Sequence, residues 1–171
     1  MPLTPFHFGP GLFFGMLSFR FLDLTAFLLG SIVLDAEPFY AFVSGKLNQP
    51  HHQFTSFLGG ILGAALVLII LSIFKGQIKK WLDKIHLAQD SSNLSIFLGA
   101  LSGCWIHVIF DSFMHYDVFP FWPSNFNPFL NLISISQNYL LCSILGIAGL
   151  ILLIVKVKKH ARHKIHSRES R

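Results

Sequence analysis

Apolar residues along the chain gather in long runs divided by short polar breaks. Residues 57–74 carry no charge and include the block Leu66-Val67-Leu68-Ile69-Ile70-Leu71, which has the length and apolarity of a membrane-spanning helix. Two further full spans are predicted, from Leu94 to about Tyr116 and from Tyr139 to Val155. Ahead of them lie two shorter helices. The first is predicted to open at Thr4-Pro5, a cap followed by a first-turn proline, and to run to about Phe19. The second opens at Asp23, covers Leu24 to Leu34, and continues through the Phe39–Val43 stretch with a kink at Pro38. Residues 44–53 have loop chemistry. Residues 77–88 place Ile78, Trp81, Leu82 and Ile85 on one helical face opposite the lysines, the pattern of a short interfacial helix. Residues 117–138, rich in Pro, Asn and aromatics, read as a connection. The expectation is an all-α integral membrane protein. It has a bundle of about five helices, two short N-terminal ones and three full spans, plus the interfacial helix. Residues 1–155 form one membrane-embedded domain and 156–171 a basic tail.

Composition agrees with that solvent. Of 171 residues 53% are hydrophobic and 12% charged, and the mean hydropathy is +0.59, outside the usual range of a soluble domain. Nineteen Phe and three Trp suit lipid-facing and interfacial surface. Cys104 and Cys142 both fall in apolar segments with no spaced framework, so two free thiols are expected. The N-terminus has no Lys or Arg before Arg20 and carries His7 and Gly-Pro-Gly at 9–11. It lacks the basic start of a signal peptide and is expected to stay on the mature protein.

Charge sets the predicted topology. Lys75, Lys79, Lys80 and Lys84 lie between the first two full spans, and seven Lys or Arg residues follow the last. Two crossings separate the clusters, so they share a side; counting back places Arg20 there too. Twelve of the thirteen basic residues then face one compartment and Lys46 alone faces the other. By the positive-inside tendency that compartment is the cytoplasm, so the protein is placed in the cytoplasmic membrane with its C-terminus inside and its N-terminus outside. The net charge of +5 is thereby a matter of topology, with no nucleic-acid partner called for.

The same count collects the ionisable residues. His7 opens the first helix, Asp35 and Glu37 end the second, and His51 and His52 precede the third. His107, Asp111 and His115, spaced by four, stripe one face of the fourth, covering about 12 Å. All point to the extracytoplasmic end. Burying such groups in apolar surroundings costs several kcal/mol unless they are paired, hydrogen-bonded or metal-bound. One reading is a His107–Asp111 hydrogen bond inside a helix bundle. The other is a site for a divalent metal, since imidazole and carboxylate are preferred ligands of zinc and, with more oxygen, of manganese or iron.

These pieces, in this order, resemble the YdjM-type family of membrane-bound metal-dependent hydrolases. The resemblance rests on Thr-Pro-Phe-His7, on Gly30-Ser-Ile-Val-Leu-Asp35-Ala-Glu37, on the His51 motif, on His107-Val-Ile-Phe-Asp111 and on Phe-Pro-Phe-Trp-Pro at 119–123. In three places the chain departs from the family pattern. Leu34 replaces a usual proline, Glu37 replaces an Asp, and His51-His52-Gln-Phe-Thr55-Ser56 lacks the second histidine of the family's His-Arg-Gly-x-Thr-His-Ser. The resemblance implies a transmembrane bundle with a metal held among His7, Asp35, His51, His107 and Asp111. Zinc is the first expectation and manganese the second. Glu37 or a non-ligating histidine, His52 or His115, would move protons, with His52 or His115 also standing in for the missing histidine. The His-x-x-x-Asp helix is more distantly similar to zinc-dependent phospholipases C and nucleases, which favours a lipid or lipid-linked phosphoester as substrate. Two other functions remain open: a protein that binds or carries a metal ion or proton, and a structural membrane protein with a degenerate site.

The topology is directly testable. A cysteine at Ser44 is expected to react with an impermeant thiol reagent on intact cells and one at Gln89 to stay unlabelled. The reverse pattern would invert the orientation.

Overall fold

A computed structural model of the chain describes residues 6–45 and 53–169. Thr4, Pro5, Lys46, His51 and His52 lie outside the described residues. The described chain folds into six helices: α1 (Phe8–Leu17), α2 (Leu24–Val33), α3 (Ala36–Val43), α4 (Phe57–Lys84), α5 (Asn93–Ser112) and α6 (Ile135–Glu169). Helices α2 and α3 together make a Leu24–Val43 segment of span length, so four segments are long and apolar enough to cross a membrane and only α1 is too short. The all-α membrane bundle is therefore the observed architecture.

Side-chain caps start three of the helices. Asp23 accepts from Ala26 N–H at α2 (2.8 Å), Ser56 from Gly59 N–H at α4 (2.9 Å) and Ser92 from Ser95 N–H at α5 (3.2 Å). The break in the second segment falls at Leu34-Asp35, ahead of the expected kink at Pro38. Pro38 sits in the first turn of α3, where a missing N–H costs nothing. The separate interfacial helix also gives way to a correction: α4 runs unbroken for 28 residues, about 42 Å, and overshoots a hydrocarbon layer of about 30 Å. Its lysines ride on a helical extension. A lone Gly76 costs about 1 kcal/mol, too little to break a helix with good formers on both sides.

Helix α5 is the axis of the bundle, with α2 and α4 against it, while α1 packs on α2 and α6. Small residues let the backbones meet. A Cβ on Gly30 would stand 2.1 Å from the Ala100 carbonyl oxygen, and one on Gly103 2.2 Å from that of Phe27. Ala26, Ala64, Val67, Leu71, Ile96 and Ala100 fill the centre. The outer faces of α4 and α6 leave Ile69, Ile73, Ile147 and Ile154 exposed, as lipid contact requires.

The two ends of the bundle differ. At one, Gln89 donates from Nε2 to the carbonyls of Phe19 (2.7 Å) and Leu22 (2.9 Å) and accepts from Leu24 N–H (2.8 Å). Ser91 donates to Asp23 (2.6 Å), Lys75 to the Ser91 carbonyl (2.9 Å), and Lys79 pairs with Asp90. Lys156 lies 3.7 Å over the Phe19 ring. The basic residues of three segments thus gather at one end, as the charge count requires. Because Gln89 is built into this network, exposed Lys80 is the better site for a cysteine probe of that end.

The close helix approach carries a stability prediction. Gly30→Ala and Gly103→Ala are each expected to destabilise the purified protein by about 1–3 kcal/mol, read as a drop in thermal midpoint. Gly76→Ala, where nothing lies within 4 Å of the added carbon, should leave it unchanged or slightly raised.

Candidate metal centre

The other end of the bundle holds the predicted cluster. His7 stands just before α1 and makes no cap hydrogen bond with its side chain. Asp35 occupies the N-cap position of α3, where an aspartate usually accepts from the helix N–H groups; it makes no such bond. Both side chains turn to the C-terminal turns of α5. There His107 and Asp111 share a face, as their spacing predicts. Helix α5 ends at Ser112, three residues before His115, so that histidine belongs to the turn beyond the helix. Its Nε2 still lies 3.9 Å from Asp111 Oδ1.

His107 and Asp111 are almost wholly excluded from solvent, at 0% and 1% exposure, and His7 at 4%. Asp111 reaches both imidazoles: its Oδ1 is 3.1 Å from His7 Nε2 and its Oδ2 is 3.1 Å from His107 Nε2. Asp35 Oδ1 lies 3.8 Å from the same His107 nitrogen. The rings of His7 and His107 stack with centroids 4.1 Å apart.

One contact sets the chemistry of the group. The Nδ1 of His107 lies 2.9 Å from the carbonyl oxygen of Ser31. A carbonyl only accepts, so this nitrogen carries the proton and, in the neutral ring, Nε2 offers its lone pair. That lone pair faces two carboxylates, an arrangement that calls for a positive charge between them. Either a second proton on the ring or a cation supplies it. His7 Nε2 and His107 Nε2 meet the two oxygens of Asp111, and Asp35 Oδ2 is buried without a hydrogen-bond partner. The unpaired Asp35 oxygen and the two imidazoles form a donor set that suits a divalent cation. His7, Asp35 and His107 each present a ligand atom within 4.8 Å of the others, where zinc ligands at about 2.1 Å from the ion stand about 3.4 Å apart in a tetrahedron. The group can hold a metal ion, and a backbone carbonyl behind a ligating imidazole is the usual support for one.

The remaining predicted residues divide. His51 and His52 lie outside the described residues. Glu37 is engaged elsewhere: its oxygens accept from Phe54 N–H (3.3 Å), Thr55 N–H (3.0 Å) and Thr55 Oγ1–H (3.1 Å). It ties the first turn of α3 to the segment that leads into α4. The 117–134 connection folds back over the same end, with Phe57 N–H donating to the Pro120 carbonyl (2.9 Å), Asn127 to that of Ser112 (2.9 Å) and Asn138 to that of Phe110 (2.9 Å). Sequence reasoning missed Ser31. Its contribution is a backbone carbonyl, which leaves no signal in residue type.

Compared with protein families, curated proteins and solved structures, the chain matches none. The chemistry of the centre therefore has to come from its own residues.

Metal analysis tests the centre. Wild-type protein purified without chelators and incubated with zinc or manganese is expected to retain the ion, and His107→Ala to lose at least about 100-fold in affinity. Asp111→Ala should weaken retention more than Asp111→Asn, whose amide still offers an oxygen to an imidazole N–H. Asp90→Asn, at the far end, should bind as wild type.

Proposed function

We propose that the chain is a membrane-embedded, metal-dependent hydrolase of the YdjM type, acting at the extracytoplasmic face on a lipid or lipid-linked phosphoester. The observation that carries this reading is the convergence of His7, Asp35 and His107, each offering a ligand atom within 4.8 Å of the others, at one end of an apolar bundle. Zinc is the leading candidate and manganese the alternative.

Each residue has a part in this proposal. His7, Asp35 and His107 hold the ion, and three protein ligands leave a coordination position open for chemistry. A divalent ion there supplies Lewis-acid polarisation of a phosphoryl oxygen and acidifies water. The Ser31 carbonyl keeps His107 in the ligating tautomer. Asp111, at 3.1 Å from both imidazoles, holds them in place, as a further ligand or as the carboxylate that orients them. His115, within 3.9 Å of Asp111, is the residue placed to move a proton. Proton transfer falls to His115 ahead of Glu37, since both Glu37 oxygens already accept from residues 54 and 55.

Two features favour hydrolysis over transport. A carrier needs polar groups that continue through the bundle. Here Ala26, Ala64, Val67, Leu71, Ile96 and Ala100 close the middle, and the Gln89 network seals the opposite end.

The test is release of a water-soluble phosphorylated headgroup from phospholipid vesicles containing the reconstituted protein and zinc or manganese. Activity is expected in the wild type and a loss of at least about 100-fold in His107→Ala. Wild-type protein that stays metal-free after incubation with either ion would overturn the hydrolase reading.

A further inference from the structure

A groove of about 370 Å³ enters the bundle from the side, between the α2–α3 segment and α4. Leu29, Ile32, Val33 and Ala36 form one wall, repeating at the three- and four-residue spacing of a single helix face. Val67 and Ile70, one turn apart on α4, form the other, and Phe39 stands beside it, 68% exposed. The volume lies in the range of small-molecule sites. Among its lining residues only Asp35 is polar.

Asp35 belongs to two places at once. It lines the groove, and its Oδ1 lies 3.8 Å from His107 Nε2 in the candidate metal centre. The groove is thus an apolar slot whose lining includes one carboxylate residue of the centre. Both walls belong to segments of span length, Leu24–Val43 and Phe57–Lys84. A slot lined by aliphatic side chains does not hold water, and in a bilayer the medium at its opening is hydrocarbon.

We propose that this groove seats one acyl chain of a bilayer phospholipid, entering sideways from the membrane and presenting its headgroup phosphate beside Asp35. The proposal rests on the hydrolase reading above for what happens to the phosphate, and on the groove alone for where the chain lies. It names the substrate class: a phospholipid taken from the bilayer without leaving it. The apolar wall would then select for the chain, and the open coordination position for the phosphoryl oxygen.

The test uses vesicles of phosphatidylethanolamine and phosphatidylglycerol with a trace of phosphatidylethanolamine carrying a mid-chain diazirine. After irradiation, cross-linked peptides are mapped by mass spectrometry, and zinc content is measured on the same samples. Labelling is expected to be enriched several-fold at Ile32, Val33 and Ile70 over Ile73 and Ile147, which are more exposed on the outer faces. Ile70→Trp, which fills the groove without touching a ligand, should remove that enrichment and leave zinc content at the wild-type level. Ile32→Phe fills it from the opposite wall and gives the same readout if Ile70→Trp does not express. Uniform labelling around the bundle, or enrichment that survives both substitutions, would overturn the acyl-chain site whatever the zinc content. Enrichment that both substitutions abolish, in protein that binds no zinc, would uphold the acyl-chain site and remove the hydrolase reading instead.

Discussion

A single fully buried imidazole joins the fold of this protein to its chemistry. The ring of His107 lies about one turn beyond the close approach of α2 and α5 at Gly103, and its Nδ1 is held 2.9 Å from the Ser31 carbonyl on the opposite helix. That reach depends on glycine. Any side chain at Gly30 or Gly103 would drive the two backbones apart, and with them the carbonyl that sets the His107 tautomer. Helix packing therefore decides which nitrogen faces the cluster. Once Nε2 faces inward, Asp111, Asp35 and His7 complete a buried group that can hold a metal ion.

The rest of the bundle follows from keeping that polar group in an apolar rod. Its cost is borne by a well-packed centre of small and aliphatic residues, and the polar contacts sort to the two ends. At the basic end, Gln89, Asp23 and Ser91 satisfy the turn between α1 and α2 and the break between α4 and α5. At the other, the amides of Asn127 in the 117–134 connection and Asn138 in α6 take up the last carbonyls of α5. Phe57, Trp105, Phe121 and Phe129 pack their rings over the same end. The mostly exposed faces of α4 and α6 are left for lipid. Two ends of different chemistry, separated by an apolar middle, describe a one-sided site better than a passage.

Much of this was legible in the chain because the physics involved is local. Long apolar runs announce α4, α5 and α6, and Asp23 marks a helix start by residue type alone. The i, i+4 spacing of His107 and Asp111 settles that they share a face before any tertiary contact is known. Charge distribution, counted over segments, brings His7, Asp35, His107 and Asp111 to one end, and the folded chain brings them within contact of each other. What the local pattern misjudged was continuity: α4 carries on past Gly76, the second segment breaks at Leu34 instead of Pro38, and α5 stops short of His115. Helix ends depend on competing contacts worth about 1 kcal/mol, which tertiary packing readily outweighs. Two things only the tertiary structure decided. One is the Ser31 carbonyl behind His107, since a backbone oxygen is the same at every residue. The other is the fate of Glu37, a carboxylate indistinguishable in sequence from a proton carrier, which the fold commits to the backbone N–H groups of residues 54 and 55, brought to it by a contact 17 and 18 residues away in the chain.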